Sequence, residues 1–354
     1  MNAAQLIPTP DVLQVPWGWF QVLLTVTFFL HLVVMNMLLG CSLITFFRHV
    51  AGKSTGVNKA IAGKLPFTVA FTINFGVAPL LFLQVIYGHF MYASSVLMAV
   101  YWLSIFAILI FSYYGTYIYS MNYEKIVDFH TVISGFIAGT LLAVAFIITN
   151  NLSLMTNIEA WPAYFNNPQG TLLNLSDPSL FPRFLHSVLG AIAVGGLTIA
   201  LYYDFKKRKG DTEAEENIRT GMKWFAGATM LNFGAGTLYW GSLPESVRLL
   251  TGEGSIFFLF FIVLGSVAAI FSLIYGMRYQ VRPAVYSLLG SLFCMVLVRE
   301  FARRLALAPW FKTSDLVVVP QYSPLILFLI VFAAGLWLVW YMIRLVVTDK
   351  EVRS

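Results

Sequence analysis

Residues 17–47 read WGWFQVLLTVTFFLHLVVMNMLLGCSLITFF, without a single Asp, Glu, Lys or Arg. The hydrocarbon core of a bilayer is about 30 Å thick and takes roughly 20 apolar residues of helix to cross. A helix that is apolar on every face has no polar side to turn towards water. The stretch therefore predicts a membrane span, and the same reading repeats along the chain. Further apolar runs lie at about 66–91, 96–119, 129–149, 181–203, 222–241, 255–277, 283–303 and 323–347. The first run has no basic segment ahead of it and exceeds the apolar core of a signal peptide, so it is read as an uncleaved span.

The composition agrees. Of 354 residues, 59% are hydrophobic and 11% charged, with a mean hydropathy of +0.78. Globular domains carry about 25% charged residues, so a soluble fold is excluded. The expectation is an all-α, polytopic transmembrane helical bundle of about nine spans, with residues 1–354 forming one integral membrane domain. The net charge of +6 does not call for nucleic acid, because basic loops mark the cytoplasmic side of membrane proteins. Sixteen of the 22 Lys and Arg fall on one side, including Lys206, Lys207, Arg208 and Lys209. This puts the N-terminus outside and the C-terminus inside, in the cytoplasmic membrane of a bacterium or archaeon. Trp17, Trp19, Trp161, Trp240 and Trp310 fall on the outer side, where an aromatic belt is expected. The longest outer loop runs from about 150 to 182 and contains Trp161-Pro162 and Asn167-Pro168. Cys41 and Cys294 both sit inside apolar runs, which provides neither a disulfide framework nor a CxxCH haem attachment.

Ionisable groups are expensive in lipid, so the few present narrow the search for chemistry. Among the acidic residues, Glu300 lies within the end of a span, in VREFARR. Arg303 and Arg304 share its helix face, so it is read either as a local ion pair or as a carboxylate ligand, with arginines for haem propionates. His31 lies deep in the first run, where an imidazole either bonds across helices or serves as an axial haem ligand. His186 opens the fifth run in FPRFLHSVLGAIAVGG, three residues after Arg183. His89 lies near the outer end of the second. His49 and His130 are read as solvated groups at the inner side. The spacing lacks HxxH or HExxH, which favours haem over zinc. FTINFGVAP (71–79) carries Gly76 and Pro79 inside a span, marking either a kink or close packing.

In this order the residues resemble subunit I of the cytochrome bd quinol oxidases. His31 matches a first-span histidine ligand. Ile73-Asn74-Phe75-Gly76-Val77 matches a second-span motif, and Asn151, Met155 and Pro162 echo an outer-loop pattern. That pattern leads to Arg183-Phe184-Leu185-His186, matching an RF-x-H element, while Glu300, Arg303 and Pro309-Trp310 resemble a late Glu, Arg and Pro-Trp. The resemblance implies nine spans with an outer N-terminus and more than one haem b, with haem d as an alternative. It implies iron ligation by His31, His186 and Glu300, and a second integral membrane subunit.

There are departures. The outer loop at 241–254 is short where the family has a long quinol-binding loop. The third span has no acidic residue, and the seventh lacks the methionine opposite the low-spin histidine. His89 is then the first candidate for that position, and Arg183, Arg303 and Arg304 for the propionates. The expected function is a haem-b-binding subunit of a respiratory electron-transfer complex, passing electrons near the outer face. With quinol binding in question, the donor is expected to be an extracytoplasmic c-type cytochrome. The alternatives are a terminal oxidase subunit reducing oxygen, and a cofactor-free transporter or anchor.

Overall fold

The computed structural model describes residues 3–53, 56–166, 168–248, 250 and 254–352. The described chain is helical: α1 (Trp17–Val50), α2 (Gly56–Ala62), α3 (Leu65–Leu97), α4 (Ala99–Met121), α5 (His130–Thr156), α6 (Leu180–Lys207), α7 (Ala214–Ser242), α8 (Glu245–Arg248), α9 (Ser255–Met277), α10 (Val281–Leu307) and α11 (Tyr322–Val352). Asn167, Arg353 and part of the expected 241–254 loop lie outside the described residues. All nine expected spans are long helices. Eight of them are apolar and long enough to cross a membrane.

The exception is α7, because its first turns carry Glu215, Glu216, Arg219 and Lys223, and small residues such as Gly221, Ala228 and Ala235 take up much of its buried face. It still runs beside α6, with 29 residues at 1.5 Å each giving a length of roughly 43 Å. Lipid hydropathy does not hold it in place. Contact with α6 does, and Gly196, Gly221 and Ala200 meet at that crossing.

The core is organised around α1, which packs against α3, α5 and α6, while α4 pairs with α5 and α9 with α10. Between helices in lipid, association rests on van der Waals contact through small residues. A Cβ placed on Gly195 of α6 would lie 2.5 Å from the carbonyl carbon of Gly40 on α1. No side chain larger than hydrogen fits that crossing. By contrast, none of α11's apolar window is buried against the bundle. The outward apolar surface, such as Phe106, Ile110 and Phe111 on α4, is what a lipid-facing wall requires.

The outer loop differs from the plain loop expected. Helix α5 continues to Thr156, and Ile158–Asn166 forms a 3-10 helix. Trp161, expected in an interfacial belt, is 2% exposed. Its indole N–H donates to the Leu154 carbonyl at 2.9 Å. Asp177 accepts from the hydroxyls of Ser153 and Ser179, and the Asn174 amide N–H donates to Asn150. The loop folds back as a pinned cap over the ends of α3 and α5.

Candidate functional site

Glu300 sits about two turns before the end of α10 and is 7% exposed. Arg303 Nη1 donates to its Oε2 at 2.6 Å, and Arg304 Nε and the Tyr87 hydroxyl donate to Oε1 at 3.2 and 2.7 Å. Both carboxylate oxygens are engaged, so the local ion pair is formed. Tyr87 reaches this site because α3 departs from helical geometry there, at φ −121° and ψ 25°. Of the two readings of 71–79, close packing holds at Gly76, while the departure from helical geometry lies at Tyr87, eight residues after Pro79.

Four guanidinium groups collect here, each on an aromatic ring. Arg303 lies 5.0 Å from the Tyr87 centroid, Arg304 5.2 Å from Trp17, Arg299 4.1 Å from Phe28 and Arg183 5.4 Å from Tyr239. Arg183, Arg303 and Glu300 are close enough to Arg299 to act on it electrostatically. Glu300 pairs directly with Arg303 and Arg304, so the arginines contributed by α6 and α10 outnumber its single charge and suit an anionic group.

His31 stands one turn after Phe28 on α1. Its Nδ1 is 3.1 Å from the Thr72 carbonyl oxygen on α3. A carbonyl only accepts, so Nδ1 carries the proton and Nε2 keeps its lone pair. Metal-bound histidines characteristically hold their second nitrogen in this way. Gly76 makes room for the ring: a Cβ there would lie 2.9 Å from His31 Cε1.

His186 faces α7, with Tyr239 at 6.2 Å between centroids. A Cβ on Gly236 would meet its Cε1 and Nδ1 at 3.3 Å. Its Nδ1 and the neighbouring Arg183 Nε are buried without hydrogen-bond partners. His89 is held elsewhere, against Phe90 at 4.2 Å and Phe311 at 4.7 Å, with Nε2 buried and unpartnered. The rings of His89 and His186 are thus enclosed by different neighbours. Among the described residues, no group of three or more His, Cys, Asp or Glu converges as a metal cage. A flat macrocycle needs only one or two axial nitrogens. Orphaned ring nitrogens, glycine clearances and surplus guanidinium charge fit such a group.

Sequence reasoning missed Tyr87, Thr72, Arg299 and the α7 residues Gly236 and Tyr239. Of these, only Arg299 had a signal, through its place in VREFARR. His49 and His130, expected to be solvated, are buried instead. His49 Nε2 is 2.7 Å from the Tyr119 hydroxyl, and Asn58 lies against the His49 ring while accepting from Arg48 Nε at 2.8 Å. His130 Nε2 donates to the Tyr123 carbonyl at 2.8 Å, with the two imidazoles 4.9 Å apart. Helix α2 and the turn after α4 fold over them, which a local reading of a basic loop does not reveal.

No family model matches the chain, and no curated protein sequence matches it. A solved structure does: the bd oxidase from Geobacillus thermodenitrificans superposes with a TM-score of 0.66 at 13% identity, covering 94% of this chain and 99% of that one. At that identity the likeness establishes a shared fold.

Proposed function

We propose that this protein is a haem-b-binding membrane subunit of a respiratory electron-transfer complex related to the bd oxidases. The observation that carries this reading is the fixed tautomer of His31, which leaves the Nε2 lone pair free on a ring that shares the neighbour Phe28 with Arg299. His31 and His186 would each hold haem iron, and Arg183, Arg299 and Arg303 would neutralise the propionates. When bound, the haem supplies a one-electron couple whose potential is tuned by its axial ligands, burial and nearby charge. The Thr72 carbonyl holds His31 in one tautomer, and Gly76 keeps the ring from being displaced. Glu300, engaged on both oxygens, keeps the arginines in place. Serving as an iron ligand would require it to release at least one of those bonds. The bd oxidase fold supports a partner membrane subunit. A c-type cytochrome as donor remains this proposal's own element, motivated by the short 241–254 connection.

The test is a reduced-minus-oxidised visible spectrum of the purified protein with a pyridine haemochrome count. A b-type band, lost in His186→Leu and in His31→Leu while the protein still elutes as a folded species, is the expected result. A blank spectrum from haem-replete cells would overturn the reading and leave a transporter or bare anchor. Carbon monoxide sensitivity of the same sample would point instead to the oxygen-reducing version.

A further inference from the structure

At the opposite, basic end of the bundle a cleft with about 90 Å³ of space opens between α1, α2, α3 and α6. Met37 and Leu38 of α1, Ile61 of α2, Leu65 of α3 and Ile199 of α6 make its walls. Its inner wall is fixed by the Gly40–Gly195 crossing, where Cys41 Sγ also approaches the Gly195 carbonyl at 3.7 Å. At the mouth, two lysines from separate segments converge on one ring. Lys64 Nζ lies 5.0 Å and Lys206 Nζ 5.5 Å from the Tyr202 centroid. Lys206 has a loose ion pair with Asp211 at 3.6 Å, and Lys64 has none among the described residues. On α6 the lining runs from Thr198 to Tyr203, roughly 8 Å along the helix at 1.5 Å per residue.

An apolar slot below a pair of cations complements a molecule with an alkyl tail and an anionic head. We propose that the cleft is a binding site for one anionic phospholipid. Its acyl segment lies between α1, α3 and α6, and its phosphodiester is held by Lys64 and Lys206 at Tyr202. Basic pockets between helices at the cytoplasmic surface recognise lipid headgroups through this combination. The site stands apart from the cofactor reading and does not depend on it.

Native mass spectrometry of the full-length, delipidated protein titrated with phosphatidylglycerol or with phosphatidylcholine tests the proposal. The expected result is one phosphatidylglycerol adduct at least about tenfold tighter than phosphatidylcholine, since each surface basic residue contributes on the order of 1 kcal/mol. The double variant Lys64→Gln/Lys206→Gln brings the two lipids level, whereas Lys64→Arg/Lys206→Arg retains the preference. Lys64 is exposed, and gel filtration confirms that both variants remain folded. Equal binding of the two lipids, or indifference to the glutamine variant, overturns the proposal. So does displacement of phosphatidylglycerol by decylubiquinone, or equally tight binding of free glycerol phosphate, which would remove the acyl half of the argument.

Discussion

Glu300 and Gly76 each stand where one atom decides the local arrangement. Glu300 is the shared acceptor for Arg303, Arg304 and Tyr87. Removing one partner of a buried ion pair strands the other and costs about 3–5 kcal/mol. Glu300→Gln is therefore expected to lower the thermal midpoint in detergent sharply. Tyr87→Phe removes one donor to that carboxylate and should cost about 1.5–3 kcal/mol, so the two variants rank in that order. Gly76→Ala places a methyl group 2.9 Å from His31 Cε1. It is expected to move the ring and shift or abolish the b-type absorption, while Gly88→Ala, with nothing within 4 Å, leaves the spectrum unchanged. At this scale the charged members of the site were legible, because Glu300 and its arginines are adjacent in VREFARR. Their partners were not. Thr72 acts through a backbone carbonyl and Gly236 through the absence of a side chain, and neither has a residue-type signature.

Among elements, the α1–α6 crossing and the docking of α2 carry the clearest consequences. Gly195→Val pushes a branched side chain into the Gly40 backbone, and such overpacking costs about 1–3 kcal/mol or more. Thermal aggregation in detergent should report it. The expected effect is larger than that of a similar change at Gly139 on α5, where a Cβ meets nothing within 4 Å. Helix α2 is anchored by Asn58, which is 0% exposed and links Arg48 to His49. Asn58→Ala removes one hydrogen bond from Arg48 and one from the His49 ring, at about 0.5–1.5 kcal/mol each or more for the charged Arg48. Hydrogen exchange in α2 should then rise before the rest of the bundle loosens. Helix α7 shows why composition undercounts such elements. Its first turns are charged and small residues take up much of its buried face, so neighbour contact holds it more than lipid does.

For the whole molecule, the distribution of basic residues requires an odd number of crossings between an outer N-terminus and an inner C-terminus, which is met only if α7 crosses. A C-terminal green fluorescent protein fusion should fluoresce, and a cysteine placed in the cap at Leu175 should label from the outer side of intact cells. Labelling from the inner side would reverse the assignment. Helix α11 has none of its apolar window buried against the bundle. Truncation before Tyr322 is accordingly expected to leave the thermal midpoint within experimental error of the full chain. A large drop would mean that α11 packs on the bundle in the membrane.

Apolar run length alone determined that this is a polytopic helical membrane protein, because each crossing is a local requirement of the bilayer and is written in contiguous residues. The ordered histidines, Glu300 and its arginines were legible for the same reason: ionisable groups in lipid are few. Tertiary structure decided which of them share a site. It placed His31 against the Thr72 carbonyl, gave His89 and His186 different aromatic neighbours, and buried His49 and His130 beneath a short helix. It also turned an outer loop into a cap on Trp161. These outcomes depend on which helices lie side by side. In this bundle that is set by glycine clearances such as Gly40 against Gly195, which couple residues far apart in the chain and leave no local pattern to read.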